Sequence, residues 1–228
     1  MGLNKTPPTI EEKPNVLPRE IYLSILNERL LKYISDKNIL GINQLGFVFG
    51  NRTSDAHILI NTLIKKYCHK KNAKIYSCFV DFKKAFDSVP RDILLKKLLN
   101  YGINGKVFNI IRDIYTTDKA GVKNKTTISS FFDLNVGVRQ GCILSPLLFN
   151  IFLSDLAQKF VNLKKGPMVG EKHINSVFWA DDLVMVAESE NELQEMLKIL
   201  EEYCGLNHLI INTKKTKCMV FNKKEGSW

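Results

Sequence analysis

The chain has 228 residues and is 45% hydrophobic, enough for one large domain or two closely packed subdomains and too apolar for global disorder. Its 33 lysines and arginines outnumber 23 aspartates and glutamates for a net charge of +10, which favours a polyanionic partner, nucleic acid before an anionic membrane surface. No apolar run reaches the length of a membrane span, the polar N-terminus carries no secretory core, and the five cysteines are odd in number, widely spaced and without a C-x-x-C, so membrane insertion, a disulfide framework and a zinc knuckle are set aside and an intracellular setting (nucleus and/or cytoplasm) is expected.

Residues 1–18, with Pro7, Pro8, Pro14 and Pro18, read as a flexible lead-in. A helix is expected over 19–36, with Ile21, Ile25, Leu26, Leu30 and Ile34 on or near one face. A loop punctuated by Gly41, Gly46 and Gly50 follows. The next helix spans 54–67, with Ser54 as its N-cap and Ala56, Leu59, Leu63, Ile64 and Tyr67 on its apolar side.

The first strong strand is 75–82. A helix over 90–100 opens with Pro90 and stops at Gly102, and a second short helix spans 106–115. Residues 119–137 read as a β-hairpin turning at Lys123-Asn124-Lys125. A mostly buried helix covers 145–160, with Pro146 in its first turn. Residues 177–187 then read as strand, short break, strand, with Asp181 and Asp182 at the break. An amphipathic helix over 190–203, stopped by Gly205, and a closing strand over 217–221 complete the chain. Strands and helices alternate, but the 177–187 unit is an antiparallel hairpin. The pattern therefore fits an α+β fold with helices on one face of a sheet better than a doubly wound one.

Adjacent carboxylates at a hairpin tip repel, and each raises the pKa of the other. Taken alone, Asp181-Asp182 reads as a polar turn or as a metal site. Asp81 adds a third carboxylate, at the C-terminal end of a greasy strand. If that strand lies beside the hairpin, three hard oxygen donors converge on one sheet edge, a set suited to Mg²⁺ or Mn²⁺. Two such ions serve phosphoryl transfer by activating a hydroxyl and stabilising a leaving pyrophosphate. Cys204 and His208 straddle Gly205 and read as structural, not as a metal pair.

Here the chain resembles a known family. Phe79-Val80-Asp81-Phe82-Lys83-Lys84-Ala85-Phe86-Asp87-Ser88-Val89-Pro90 looks like the first catalytic motif of reverse transcriptases. Gly137-Val138-Arg139-Gln140-Gly141-Cys142-Ile143-Leu144-Ser145-Pro146-Leu147-Leu148-Phe149-Asn150 resembles the next motif, and Ala180-Asp181-Asp182 the third. Residues 212–218, with Lys215-Thr216, are similar to the fourth. Gln44-x-Gly46-Phe47-x-x-Gly50 with Asp55-Ala56 is similar to the fingers segment that precedes them. The wording is closest to non-LTR retrotransposons of the LINE or jockey type, over residues 20–222.

The resemblance implies a polymerase palm, a ferredoxin-like antiparallel sheet backed by helices, with partial helical fingers. The palm would cover 75–222 with fingers elements inserted at about 100–140, and 19–74 would be partial fingers. Asp81, Asp181 and Asp182 would hold two Mg²⁺ ions, or Mn²⁺, with the Phe82 carbonyl as a further ligand. Phe86 would be a steric gate against a ribose 2′-hydroxyl, a position that core packing explains equally. Gln140, Gly141 and Lys215 would lie near the incoming dNTP, although Lys215 reads equally as part of a solvated basic loop. Arg139, Trp179, Lys70 and Lys71 would contact RNA template and DNA primer. The lysines of 65–74, Lys96, Lys97 and those of 119–125 could track phosphates. Trp179 departs from the Tyr or Phe usual in the family.

The resemblance also leads one to expect an Arg-Pro-Ile-Ser-like segment and a triphosphate-gripping Lys and Arg ahead of residue 19, where Glu12-Lys13-Pro14-Asn15-Val16-Leu17-Pro18-Arg19 stands instead. No thumb, endonuclease or zinc-knuckle segment is recognised, and residues 223–228 read as a tail. Two functions follow: an RNA-directed DNA polymerase core, or a catalytically inactive retrotransposon-derived remnant that binds nucleic acid. A viral RNA-copying polymerase is disfavoured by Phe86. The sequence leaves the oligomeric state open.

Overall fold

In chain order, two helices come first, α1 (Val16–Asp36) and α2 (Thr53–Tyr67), and then the strand β1 (Lys74–Val80). A single 3-10 turn, Phe86–Ser88, leads into α3 (Arg91–Asn100) and α4 (Gly105–Thr116). Short strands β2 (Lys119–Ala120), β3 (Lys123–Asn124), β4 (Thr127–Ile128) and β5 (Phe132–Asp133) precede the long helix α5 (Ser145–Asn162). After it come β6 (Met168–Val169), β7 (Lys172–His173), β8 (Ser176–Trp179), β9 (Asp182–Ala187), α6 (Glu190–Asn207) and β10 (Lys217–Asn222). The structure is a computed structural model that describes residues 16–48, 50–69, 73–124 and 127–222. The lead-in up to residue 15, Lys70, Lys71, Lys125 and the tail over 223–228 lie outside the described residues.

The main sheet has the order β10-β1-β9-β8, and every neighbouring pair is antiparallel. Leaving the short ladders aside, the strands and the helices between them follow a β-α-β-β-α-β path, the ferredoxin-like arrangement of a polymerase palm. β1 lies inside the sheet because it carries apolar residues on both faces, with Ile75 and Cys78 fully buried. Helices α5 and α6 cover one face. Phe149, Phe152 and Phe160 of α5 and Leu200 and Tyr203 of α6 pack with Cys78, Phe178 and Met185 in one core. On the other face α2 sets Ala56 and Leu63 against Ile174 and Val177.

Several expectations shift. Helix α1 buries Leu23, Leu26, Leu30 and Ile34, while Ile21 and Ile25 are 58% and 49% exposed. The buried stripe thus runs i, i+3, i+7, i+11: Leu26, Leu30 and Ile34 lie on it as expected, and Leu23 takes the place of Ile21 and Ile25. Ser54 is not the cap of α2. Arg52 takes that place, and the Asp55 carboxylate accepts its backbone N–H at 2.7 Å.

Gly205 does not stop α6, which runs on to Asn207. A glycine costs a helix about 1 kcal/mol. Buried Tyr203, Cys204 and Asn207 on either side outweigh that cost, and the Asn207 side chain donates to the Tyr203 carbonyl. The stop is His208 at φ +53°, after which the buried Leu209 donates its N–H to the Cys204 carbonyl. The 119–137 hairpin is two ladders, β2 with β5 and β3 with β4, and the β6–β7 hairpin is an addition. Among the described residues no helix is long and apolar enough to cross a membrane, and the cysteines are free thiols.

Candidate active site

The acidic turn is set between β8 and β9. Trp179 pairs with Asp182, leaving Ala180 and Asp181 as the turn. Ala180 takes φ +56°, a left-handed conformation that costs an L-residue about 1–2 kcal/mol. The segment before α2 holds this turn from the side. Phe178 donates to the Asn43 carbonyl at 2.8 Å and accepts from Leu45 at 2.9 Å, so residues 43–45 run as an extra short parallel edge beside β8. Gly46 then lies so close that a Cβ would collide with the Ala180 nitrogen. The glycine of the Gln44-x-Gly46 motif is required by that approach.

Asp81 follows β1 directly. Val80 faces Leu183, so the next step of the register brings Asp81 alongside Asp182. The turn over 212–216 wraps around it. Asn212 donates its backbone N–H to the Asp81 carbonyl at 2.7 Å and its side-chain amide to Oδ2 at 2.8 Å. Thr216 Oγ1 accepts the Asp81 N–H at 3.2 Å, and the exposed Lys215 ammonium lies 3.8 Å from Oδ1. Asp182 is open to solvent on its outer side, yet its carboxyl is raised above the usual range. Burial of its inner side is the first cause, followed by the charges of Asp181 and then Asp81. The three carboxylates therefore share one field.

Their donor chemistry suits a hard divalent cation, since positive charge would relieve the repulsion that raises Asp182. Among the described residues, however, no three His, Cys, Asp or Glu side chains are gathered in a metal-holding cluster. In this conformation Asp81 faces Asn212 and Lys215 instead. Phe82, the expected carbonyl ligand, has a buried ring and bridges to Ile211 across the sheet edge.

A cleft of about 550 Å³ is lined by Phe86, Arg139, Gln140, Gly141, Ile143 and Pro146, among others. The Phe86 ring stacks on Phe149 with centroids 4.6 Å apart, so one residue both packs in the core and lines the cleft. Gln140 donates its side-chain amide to Asp87 Oδ1 at 2.7 Å. Gly141, at φ +80°, has open space where a Cβ would stand. Gly137, at φ +90°, would place a Cβ 2.9 Å from the Asp87 carbonyl oxygen.

The structure thus brings Phe86, Arg139, Gln140 and Gly141 together at one cleft, and Asp81, Asp181, Asp182 and Lys215 at one sheet edge. Arg139 does not extend freely to solvent: its Nε is 3.2 Å from Asp118 Oδ1, in a pair that is largely buried. Trp179 is half-buried and packs on the α2 cluster. It lines a second cleft of about 460 Å³ with His57, Asn61, Phe79, Asp182 and Phe221. Lys97 is not free to track phosphates. It is 8% exposed, lies 2.8 Å from Asp155, and donates to the Phe152 carbonyl and Tyr203 hydroxyl. Cys204 is buried and His208 is an exposed helix terminus, so they form no ligand pair.

Reading residues along the chain missed Arg91, Asp118 and Asn150 as organising residues. Asn150 had a signal, an amide inside the apolar run of α5. Arg91 and Asp118 had none, because their partners lie far apart in sequence.

The sequence pattern of the family described as "Reverse transcriptase (RNA-dependent DNA polymerase)" matches residues 12–228. A "Retrovirus-related Pol polyprotein from type-1 retrotransposable element R2" of Nasonia vitripennis is 29% identical over 83% of this chain and 18% of its own length. The "RNA-directed DNA polymerase from mobile element jockey" of Drosophila funebris is 29% identical over 78% of this chain and 19% of its own length. The chain spans less than a fifth of either relative. The solved telomerase of Candida tropicalis, in complex with a fragment of telomeric RNA, superposes with a TM-score of 0.70 at 15% identity, over 93% of this chain and 35% of that one, a likeness of fold.

Proposed function

The chain belongs to the reverse transcriptase (RNA-dependent DNA polymerase) family, and from that premise we propose that it is a polymerase core that extends a DNA primer on an RNA template with deoxynucleoside triphosphates. The observation that carries the reading is the shared field of Asp81, Asp181 and Asp182 at the sheet edge of a palm fold, with the Phe86–Gln140–Gly141 cleft on the same chain. In this reading residues 75–222 are the palm with fingers elements inserted, and 19–74 contribute fingers.

Asp81, Asp181 and Asp182, with the Phe82 carbonyl, are the groups that would hold Mg²⁺ or Mn²⁺. The chemistry such ions supply when bound is activation of the primer 3′-hydroxyl and neutralisation of the leaving pyrophosphate. The chain's own residues do the rest. Asn212 orients the Asp81 carboxylate through Oδ2. Lys215, 3.8 Å from Oδ1 and exposed, would exchange that carboxylate for a triphosphate oxygen, since both are anionic partners. Phe86, braced by Phe149, presents an aromatic edge at the cleft where a ribose 2′-hydroxyl would crowd it. Gly141, with open space at its Cβ position, would let a nucleotide approach its backbone. Net charge of +10 supports binding of the primer–template backbone.

The test is primer extension on poly(rA)·oligo(dT) with Mg²⁺ or Mn²⁺, beside an Asp181→Asn control. Metal-dependent product from the wild-type chain, lost in the control, is expected. Equal product from both, or none from the wild type, rejects the polymerase reading for this polypeptide. Salt-sensitive binding without synthesis would leave a nucleic-acid-binding remnant.

A further inference from the structure

We propose that Arg91 and Asp118 are positioning residues that hold the loop over residues 137–141, and with it the Arg139–Gln140–Gly141 rim of the cleft, in the shape that receives a nucleotide. The assignment rests on the reading of that cleft as the nucleotide site. Neither residue lines the cleft. Both lie beneath it, 7% and 6% exposed.

Arg91 opens α3 and turns its guanidinium toward the loop. Nε donates to the Gly137 carbonyl at 2.8 Å. Nη1 donates to the Tyr115 carbonyl at 2.7 Å and to the Leu134 carbonyl. Nη2 meets Asp118 Oδ2 at 2.7 Å. One side chain thereby ties the start of α3, the end of α4, the return arm of the hairpin and the first residue of the loop. The fork geometry of guanidinium is what reaches so many acceptors at once, and an ammonium could not copy it.

Asp118 passes the tie onward. Its second oxygen takes Arg139 Nε at 3.2 Å, so one carboxylate bridges a scaffold cation and a loop cation. The Arg139 carbonyl accepts from Ser145 Oγ at 2.6 Å, which fastens the same residue to the first turn of α5. Gly137 and Gly141, both at positive φ, bound a segment whose backbone is free to turn at either end. Between them, Arg139 is the residue anchored by charge. Without the Asp118 carboxylate two guanidinium groups would face each other in a nearly dry site, and the less buried of them is Arg139.

The experiment is hydrogen exchange on the full 228-residue chain, followed by mass spectrometry, for wild type and for Asp118→Asn, Arg91→Lys, Asp118→Glu and Arg139→Met. The Gly137 and Val138 amides report directly, since they donate to the Val89 and Phe86 carbonyls. Peptides over 134–145 are expected to exchange about tenfold faster or more in Asp118→Asn, Arg91→Lys and Arg139→Met, with peptides of β1 and β9 unchanged. Asp118→Glu should recover much of the protection. Steady-state extension should show the KM for dNTP rising about tenfold in Asp118→Asn with kcat little altered, since the loop shapes binding and not the acidic centre. Uniform acceleration across loop and sheet, or no local change in Arg139→Met, would overturn the assignment. A wild-type chain that makes no product rejects the polymerase reading alone, because exchange still decides whether the ion pair holds the loop.

Discussion

Asn150 donates its side-chain amide to the Gly46 carbonyl at 2.7 Å, across 104 residues of sequence. Its neighbour Phe149 stacks on Phe86. Two consecutive residues of α5 therefore brace the segment that packs against the Ala180 turn and the ring that lines the cleft. Asn150→Leu would leave the buried Gly46 carbonyl without its donor, at a cost of about 1–3 kcal/mol in denaturant melts. Gly46→Ala acts differently. The added methyl meets the backbone of Trp179 and Ala180, so the acidic turn must shift. Primer extension should fall about tenfold or more while far-UV circular dichroism stays as in the wild type. Wild-type extension by Gly46→Ala would show that the turn tolerates the displacement.

The Asp182 carboxyl is raised by partial burial, then by Asp181, then by Asp81. Native chain therefore keeps a proton there at pH values where unfolded chain has lost it. Stability from this group is present below the ordinary carboxylate pKa and is lost as pH rises through the raised value. At neutral pH the ionised group works against folding. Asp182→Asn should accordingly melt no lower than wild type at pH 7 in the absence of divalent cations, while nucleotide addition falls about 1000-fold. Added Mg²⁺ should raise the wild-type Tm more than that of the variant. A clear drop in Tm for metal-free Asp182→Asn contradicts the shared-field account.

Phe86 is half-buried against Phe149, and its exposed edge reaches the cleft. Phe86→Val shortens that edge and weakens the stack. Discrimination of dNTP over rNTP should narrow by about 10- to 100-fold, measured as the ratio of kcat/KM values. A stability loss of about 2 kcal/mol should accompany it. If discrimination is unchanged while stability falls, the ring serves packing alone.

The carboxylates that the fold gathers at one sheet edge were legible because each leaves a local mark. Asp81 ends a greasy strand and Asp181-Asp182 interrupts two others. The α+β fold was legible for the same reason, from strand and helix periodicity around one hairpin. The face of α1 was legible at Leu26, Leu30 and Ile34 but not in its first turns, because Ile21, Leu23, Ile25 and Leu26 offer two overlapping stripes and only the tertiary core chooses between them. Gly205 misled because intrinsic propensity yields to burial of the residues around it. The ties among Arg91, Asp118 and Arg139 join the start of α3, the link between α4 and β2 and the loop before α5, and nothing in their immediate neighbours marks them.

Lys97 carries the remaining expectation. Reading it as a phosphate tracker put a cation on the surface, whereas its ammonium lies among Asp155, the Phe152 carbonyl and the Tyr203 hydroxyl, with the Phe152 and Tyr203 rings 4.4 and 4.7 Å away. Burial lowers its pKa first, and Asp155 opposes the shift. Because the folded pKa lies below the unfolded one, unfolded chain binds more protons in the window between them, and stability rises with pH there. Lys97→Met removes the titration. The difference in unfolding free energy between wild type and Lys97→Met should therefore move in favour of wild type as pH rises toward the unfolded lysine value. At pH 7 the Met variant should lie within about 1 kcal/mol of wild type, since an apolar replacement avoids the desolvation of the charge. Asp155→Ala should cost more, about 2 kcal/mol, because it strands the ammonium with neutral acceptors only. Paired urea melts at several pH values check both orders. A Met variant far less stable than Asp155→Ala would mean that the ammonium's bonds to the Phe152 carbonyl and Tyr203 hydroxyl, and not its pairing with Asp155, hold α3, α5 and α6 together.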